Sequence, residues 1–391
     1  MYVSLEPIVN MTNILAYFAL SLLFLAAAYS IIQWSNFYII PLRLSTQSTY
    51  QSLDGLRGFL ALGVFFHHGV ITFYYFTTGK WKVPPSTFYT LTGEAAVALF
   101  FMITGFLFWG KVIRSKGEIN TKVLYASRIR RLIPAYIFSI LCVLVVVLVK
   151  SGVVLHVTLR EFVTELLSWL SFGFLKQLDI NGVKETWVVN SVLWTLAYEW
   201  GFYILLPFIA LFFRVELFIL LALSVTTFVW SGLVSSIVLY FVFGALAVYA
   251  IDNAQIKNIL RKSTYAFFPL VILIVFFSIF DSAYGFKQSI ILFIFFVFVV
   301  SGNTLYGLLT NVQARFLGII SYSLYLFHSI VLYVIFHLLN TIHPISTISP
   351  GQFWLLMSFS GLLLISISAL TYKYIEYPFI ALPSAERKSR F

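Results

Sequence analysis

Long apolar runs separated by short polar segments fill this chain. They fall near residues 12–40, 55–76, 93–112, 132–150, 193–213, 215–231, 234–251, 265–280, 287–303, 318–339 and 353–375. A helix needs about 20 apolar residues to cross the hydrocarbon core of a bilayer. The pattern therefore predicts eleven membrane helices, the first set apart from the other ten by the polar stretch from Arg43 to Asp54. That first run is long, has no basic segment before it and no clear small-residue cleavage site, so it reads as a retained helix. No fixed-period repeat divides the remainder. The expected fold is all-α, a polytopic transmembrane helical bundle with a ten-helix core and one extra N-terminal helix. The expected divisions are 1–49 for the extra helix and its linker, 50–380 for the membrane domain and 381–391 for a cytoplasmic tail.

Composition agrees with the pattern. Hydrophobic residues make up 61% of the 391 and charged residues only 10%, against about 25% charged in soluble domains. The net charge of +11 is unevenly placed. Alternate loops collect eighteen Lys and Arg on one side and seven on the other, and the excess marks the cytoplasmic face. This puts the N-terminus outside and the C-terminus inside. The excess is either the topology signal alone or, in addition, a field that attracts a polyanionic small molecule to that face. The single cysteine, Cys142, lies in the fourth run with no charged neighbour, so it is read as packing rather than as a thioester carrier. No Gly-rich phosphate loop or spaced Cys/His metal set is present, and no nucleic-acid partner is expected.

Polar groups inside the apolar runs are the candidates for chemistry. Arg57 and His68 stand eleven positions apart in Ser52-Leu-Asp-Gly-Leu-Arg-Gly-Phe-Leu-Ala-Leu-Gly-Val-Phe-Phe-His-His. Eleven residues are about three helical turns, so both side chains share a face some 16 Å apart. With Arg57 at the membrane surface, His68 falls near mid-bilayer, where lipid offers no hydrogen bond and an imidazole has to face a cavity or a partner. His67 points about 100° away and is the weaker candidate. Asp54, three residues before Arg57, is placed to cap that helix and pair with the arginine. Gly55 and Gly58 leave room for a close approach to the backbone beside Arg57. In Arg128-Ile-Arg-Arg-Leu-Ile-Pro, Arg128 and Arg131 share a helix face with Arg130 between them, and guanidinium forks suit phosphates bidentately.

Glu199 in Leu193-Trp-Thr-Leu-Ala-Tyr-Glu is expected to be the only carboxylate well inside a span, at a depth compatible with His68. A carboxylate beside an imidazole fixes its tautomer and raises its basicity. The competing reading is a structural hydrogen bond to a neighbouring Trp or Tyr. His328 lies near mid-bilayer in Ser321-Tyr-Ser-Leu-Tyr-Leu-Phe-His, where Tyr322 and Tyr325 precede it at helical spacing as either a packing stripe or part of a site. Thr104 and Gly105 form a small pair in an aromatic run, which favours close helix packing. Glu376 reads as an ion-pair partner among basic residues.

Six segments in order resemble the acyltransferase 3 family of membrane acyltransferases. They are Leu53-Asp-Gly-Leu-Arg-Gly with His68 beyond it, Phe100-Phe-Met-Ile-Thr-Gly-Phe, Arg128 to Pro134, Trp194 to Tyr203, Ser321 to His328, and Ile375-Glu-Tyr-Pro. The likeness covers about residues 50 to 380. It implies ten helices, an acyl-coenzyme A donor on the cytoplasmic face, and transfer to sugar hydroxyls, commonly of surface glycans. It also implies that Arg57 and His68, which match the family's Arg-x10-His pattern, are essential. Thr104 stands where a Ser is usual and Tyr377 where an Arg is usual, and neither touches the expected chemistry. Relatives often carry a hydrolase-like domain after the last helix. The sixteen residues after position 375 are too few for one, so the acceptor is expected to be acylated by the membrane unit or by a separate partner.

The function expected is O-acylation, most often O-acetylation, of a bacterial surface polysaccharide such as lipopolysaccharide O-antigen, from the inner membrane. Acetyl-coenzyme A is the co-substrate and no permanent cofactor or metal is expected. His68 is the general base or a transient acyl carrier, and Glu199 orients it. Arg57 with Arg128, Arg130 and Arg131 holds the donor phosphates, with Asp54 positioning Arg57. The acceptor, a glycan or lipid-linked glycan, is expected at the aromatic-rich outer loop of residues 151–192. The rival is a secondary transporter or a lipid-linked glycan flippase, because polar groups at mid-bilayer also mark substrate pathways. It is weakened by the lack of matched halves and the scarcity of proline within the runs.

Overall fold

The computed structural model describes residues 11–46, 50–83 and 86–381. Part of the expected 43–49 linker and the tail beyond Ala381, with Arg387, Lys388 and Arg390 of the charge count, lie outside them. The described residues form an all-helical bundle with no strand.

Each predicted run has a helix. The first run is divided: α1 (Met11–Trp34) ends at Ser35, whose extended backbone is followed by a single 3-10 turn and α2 (Ile39–Thr46). Helices α3 (Gln51–Thr78), α4 (Thr87–Arg114) and α5 (Thr121–Lys150) outrun their apolar segments at both ends or at the start. Their capping chemistry lies in the polar flanks: Ser86 and Asn120 accept from the first-turn amides of α4 and α5. Gly79, in the left-handed region at φ 70°, closes α3. After α6 (Leu159–Leu170) come α7 (Trp194–Ile209), α8 (Val215–Trp230), α9 (Val238–Ala250), α10 (Ala254–Arg261), α11 (Phe267–Ile279) and α12 (Phe286–Val300). The chain finishes with α13 (Val312–Ile319), α14 (Ser321–Ile342), α15 (Pro350–Thr371) and α16 (Tyr377–Ala381).

Among the described residues, seven helices are long and apolar enough to cross a membrane, and the chain is a multi-pass membrane protein. The other four predicted runs form shorter helices. One of them, α9, bends by 106° into α10, where Asn253 caps a new start. At a rise of 1.5 Å per residue, helices of about 13–16 residues reach only ~20–24 Å by themselves, and α9 makes an eighth span only if α10 is counted with it across the bend.

The centre is built from α3, α4, α13 and α14. Small residues let these backbones touch. Gly105 on α4 faces the Phe241 carbonyl of α9, and Gly244 on α9 faces the Met102 carbonyl of α4, so a side chain at either would separate the pair. The space beside Gly55 and Gly58 is taken by Leu309 and Ala314, and Gly318 of α13 lies on the Asp54 carbonyl. The two glycines beside Arg57 therefore serve helix packing, which corrects the expectation that something else approaches there. The added helix α1 docks Phe24 against Phe65, Phe66 and Gly361.

Two ends can be told apart by which helix termini they gather. The starts of α3, α5 and α14 meet the finish of α4 and α7 at what is here called the basic end. The opposite end carries the 151–193 segment. It is ordered rather than loose: Thr158 and Glu161 form a capping box on α6, Trp169 donates to the Leu178 carbonyl at 2.7 Å, and Tyr136 donates to the Trp169 carbonyl. The capping bonds from Thr158 hold the exposed Glu161 carboxyl below its ordinary range.

Candidate functional site

A cavity of about 120 Å³ opens among α3, α4, α5, α7 and α14, lined by Arg57, Arg128, Arg131, Glu199, Tyr203 and Tyr325 among others. Arg57 stands on the second turn of α3. Its Nε is buried without a hydrogen-bond partner, and the Ser321 hydroxyl on the same wall is also unpartnered. Arg128 lies over the rings of Phe108 and Tyr203, 5.0 and 5.7 Å from their centroids, which holds the guanidinium flat without neutralising it. Arg131 is paired with Glu376 at 3.2 Å, the only ion pair among the described residues. Glu376 reaches it from a π-helical turn, Tyr372–Glu376, and accepts from the Ser323 hydroxyl at 2.5 Å. A π-turn adds a residue to the helical repeat and re-aims the side chain that follows.

Several expected placements are corrected. Asp54 lies inside the first turn of α3, whose cap is Tyr50. It accepts from Ser45 at 2.5 Å rather than pairing with Arg57. Arg130 donates to the Ala126 carbonyl at 3.3 Å and is absent from the cavity wall, because it is rotated off the face shared by Arg128 and Arg131. Glu199 does line the cavity, but its carboxylate accepts from Tyr203 at 2.5 Å and has no bond to His68. That is the competing reading of Glu199, a structural bond to a neighbouring tyrosine. The fully buried carboxylate is Glu376, not Glu199.

His68 meets His328 instead. Nδ1 of His68 lies 3.2 Å from Nε2 of His328 and 3.1 Å from the Val64 carbonyl one turn back. His328, fully buried, places its own Nδ1 2.7 Å from the Tyr325 carbonyl. Ser329 stands 3.3 Å from the same Nε2, and its hydroxyl is 3.3 Å from that of Ser191 in the 151–193 segment. His68 is half-buried beneath Trp81, with ring centroids 6.2 Å apart, and Trp81 packs edge-on to Trp187. His67 is turned away and held by the Tyr89 carbonyl at 2.8 Å.

Tyr325 joins the two groups. Its hydroxyl closes the inner end of the cavity through a 2.7 Å bond to Thr195, and its ring lies 5.8 Å from that of His328. Tyr322, also on the wall, donates to the Leu132 carbonyl at 2.9 Å. The tyrosine stripe of α14 is therefore the partition between an arginine-lined cavity and a histidine pair. Cationic groups with unused donors suit an anion, and a half-buried imidazole backed by a second one suits proton transfer. Among the described residues no group of three or more His, Cys, Asp or Glu could hold a metal. Sequence reasoning missed Ser329, Ser191 and Trp81, while the ion pair it expected of Glu376 is the one made with Arg131. Ser329 alone carried a local signal, adjacency to His328.

A family model described as an acyltransferase domain, Acyl_transf_3, matches residues 50–373. Among curated proteins, relatives named "Putative O-acetyltransferase" from Staphylococcus aureus strains COL, MW2 and N315 are each 24% identical over 369 residues, covering 84% of this chain. The chain spans about half the length of these relatives, 56% of each. No solved structure matches.

Proposed function

The chain belongs to the acyltransferase 3 family, and from that premise we propose that it moves an acyl group, acetyl foremost, from cytoplasmic acetyl-coenzyme A to a hydroxyl of a bacterial surface polysaccharide such as O-antigen. The observation that carries the reading is the arrangement of charge around Tyr325. On one side Arg57 and Arg128 present guanidiniums with no carboxylate partner to a cavity of about 120 Å³. On the other stands His68 with no carboxylate near enough to bond.

The donor's phosphates sit against Arg57, Arg128 and Arg131 at the basic end, taken as cytoplasmic from the excess of Lys and Arg there. The thioester points inward, toward Tyr325. The acceptor enters from the end bearing Trp81, Trp187 and the 151–193 segment, in the outer leaflet of the inner membrane. His68 removes the proton of the acceptor hydroxyl as it attacks the acyl carbon; the thiolate leaves without an acid's help. The putative-acetyltransferase names of the relatives support acetyl as the group transferred.

The experiment is mass spectrometry of extracted surface glycan from cells expressing the protein, with acetyl-coenzyme A consumption followed in membranes from the same cells. Acetylated glycan that disappears on deletion is the expected result. Unmodified glycan together with loss of glycan export on deletion would overturn the enzyme reading. Orientation is tested by cysteines at Lys184 and Ser115, both exposed positions, in a Cys142→Ala background. An impermeant thiol reagent should label the first in intact cells and leave the second untouched.

A further inference from the structure

We propose that His328 is the positioning residue that fixes the tautomer of His68, so that Nε2 of His68 is the atom that takes the acceptor's proton. The proposal rests on the acyl-transfer reading above and names the machinery that serves it.

The argument starts from what a backbone carbonyl can do, which is only accept. The Tyr325 carbonyl is 2.7 Å from Nδ1 of His328, so that nitrogen carries the hydrogen. A neutral imidazole has one N–H, and Nε2 of His328 is therefore a bare acceptor. The Val64 carbonyl is 3.1 Å from Nδ1 of His68, which places a hydrogen there by the same rule. The two deductions are independent, and they meet correctly: the one Nδ1–H of His68, shared with the Val64 carbonyl, faces an acceptor on His328 at 3.2 Å. Moving either hydrogen to the other ring nitrogen sets a lone pair against a carbonyl oxygen. The Ser329 hydroxyl lies 3.3 Å from the same nitrogen and 3.3 Å from the Ser191 hydroxyl, and with the one lone pair of Nε2 taken by His68 its hydrogen is left for Ser191.

Nε2 of His68 is what remains. It is unprotonated and has no partner among the described residues, on the ring that is only partly buried rather than the one that is sealed. In the transfer, the acceptor's O–H proton passes to this nitrogen as the oxygen–acyl bond forms. The carbon–sulfur bond breaks with its electron pair on sulfur, as thiolate. The imidazolium then keeps its Nδ1–H on the His328 lone pair, a place a carboxylate often takes. Here Glu199 is engaged by Tyr203 instead.

Glutamine and asparagine at position 328 separate this role from packing. A Gln side chain ends where Nε2 of the imidazole stands and can accept from His68, whereas Asn ends at the level of Nδ1 and can only keep the Tyr325 bond. His328→Asn and His328→Ala should lower turnover by about 10²- to 10⁴-fold, the range a general base supplies, with the KM for acetyl-coenzyme A little changed. His328→Gln should stay within about tenfold of the parent. Turnover is read as acetyl-coenzyme A consumption in membranes that carry the cell's own glycans. Ring-nitrogen NMR of the ¹⁵N-histidine-labelled protein in micelles, with His68→Ala for assignment, should find His68 protonated at Nδ1. Protonation at Nε2 in the parent, or equal activity of the Asn and Gln variants, would overturn the proposal. A parent protein without acyl transfer would overturn the reading it rests on, and the NMR result would still decide the tautomer.

Discussion

The arginine cavity and the histidine pair sit back to back on Tyr325, and they are finished in opposite ways. In the cavity, buried polar atoms are left open: the Nε of Arg57 and the hydroxyl of Ser321 have no partner. At the histidine pair three of the four ring nitrogens are engaged, by each other and by the carbonyls of Val64 and Tyr325. An unmade hydrogen bond in a buried place costs about 1–3 kcal/mol, so the open donors are a standing cost that a bound anion removes. A closed network costs nothing to keep and holds one ring in one orientation. On the function proposed above, the first region receives a charged ligand and the second keeps a proton in one place.

The difference is broken most severely by His68→Ala. It removes the one ring nitrogen without a partner and should lower acetyl transfer to surface glycan by at least about 10²- to 10⁴-fold, with donor binding intact. His67→Ala should transfer normally, because His67 is occupied by Tyr89 and faces elsewhere. Mass spectrometry of the glycan at matched expression decides it, and acetylation by His68→Ala at the parent level would dissolve the distinction between the two regions.

Next is Glu376→Ala, which leaves Arg131 unpaired while keeping every cationic group of the cavity. Breaking a buried pair from one side costs about 3–5 kcal/mol, and the loss should appear as a lower midpoint in thermal unfolding in detergent. Unchanged stability would mean that solvent in the cavity already serves Arg131. Arg57→Ala comes third and acts on the cavity alone. Charge-assisted hydrogen bonds are worth about 1.5–3 kcal/mol, so acetyl-coenzyme A affinity should fall by roughly ten- to a hundredfold at 1.4 kcal/mol per decade. Arg57→Lys should recover little of it, since lysine lacks the planar fork. Equilibrium binding to the purified protein is the measurement, and parent-like affinity in Arg57→Ala would refute the anion site.

The extent to which these regions were legible differs for physical reasons. Each of the eleven apolar runs holds a helix because hydropathy is a property of each segment, but seven of them, not eleven, are long enough to cross a membrane among the described residues. The depth of His68 follows from counting turns from Arg57 along one helix. The cavity was half legible, since Arg57, Arg128 and Arg131 come from helix starts that topology gathers at one end. The partner of His68 was not legible: His328 is 260 positions away, and periodicity says which face a residue occupies, never which face it meets. Glu199 lies on the cavity wall but is taken by Tyr203 one turn along its own helix. Glu376 was legible as an ion-pair partner, but its full burial was not, because a π-turn, invisible to a 3.6-residue count, aims it inward.

The smallest effect is the sharpest test of the cavity. Arg130 and Arg131 are neighbours with the same charge, and only the second reaches the wall. Were the basic end to act on its ligand through its summed field, the two would be nearly equivalent, because a field falls off over about 8–10 Å at physiological salt. Contact makes them unequal. Arg130→Ala should leave acetyl-coenzyme A affinity within about 0.5 kcal/mol of the parent, as surface substitutions do. Arg131→Ala should weaken it by more, although Glu376 already takes part of its charge. Titration at two ionic strengths separates the cases. A contact survives added salt far better than a field does, so equal losses in the two variants that both fade with salt would reduce the arginines to a steering patch and leave the cavity without a defined ligand.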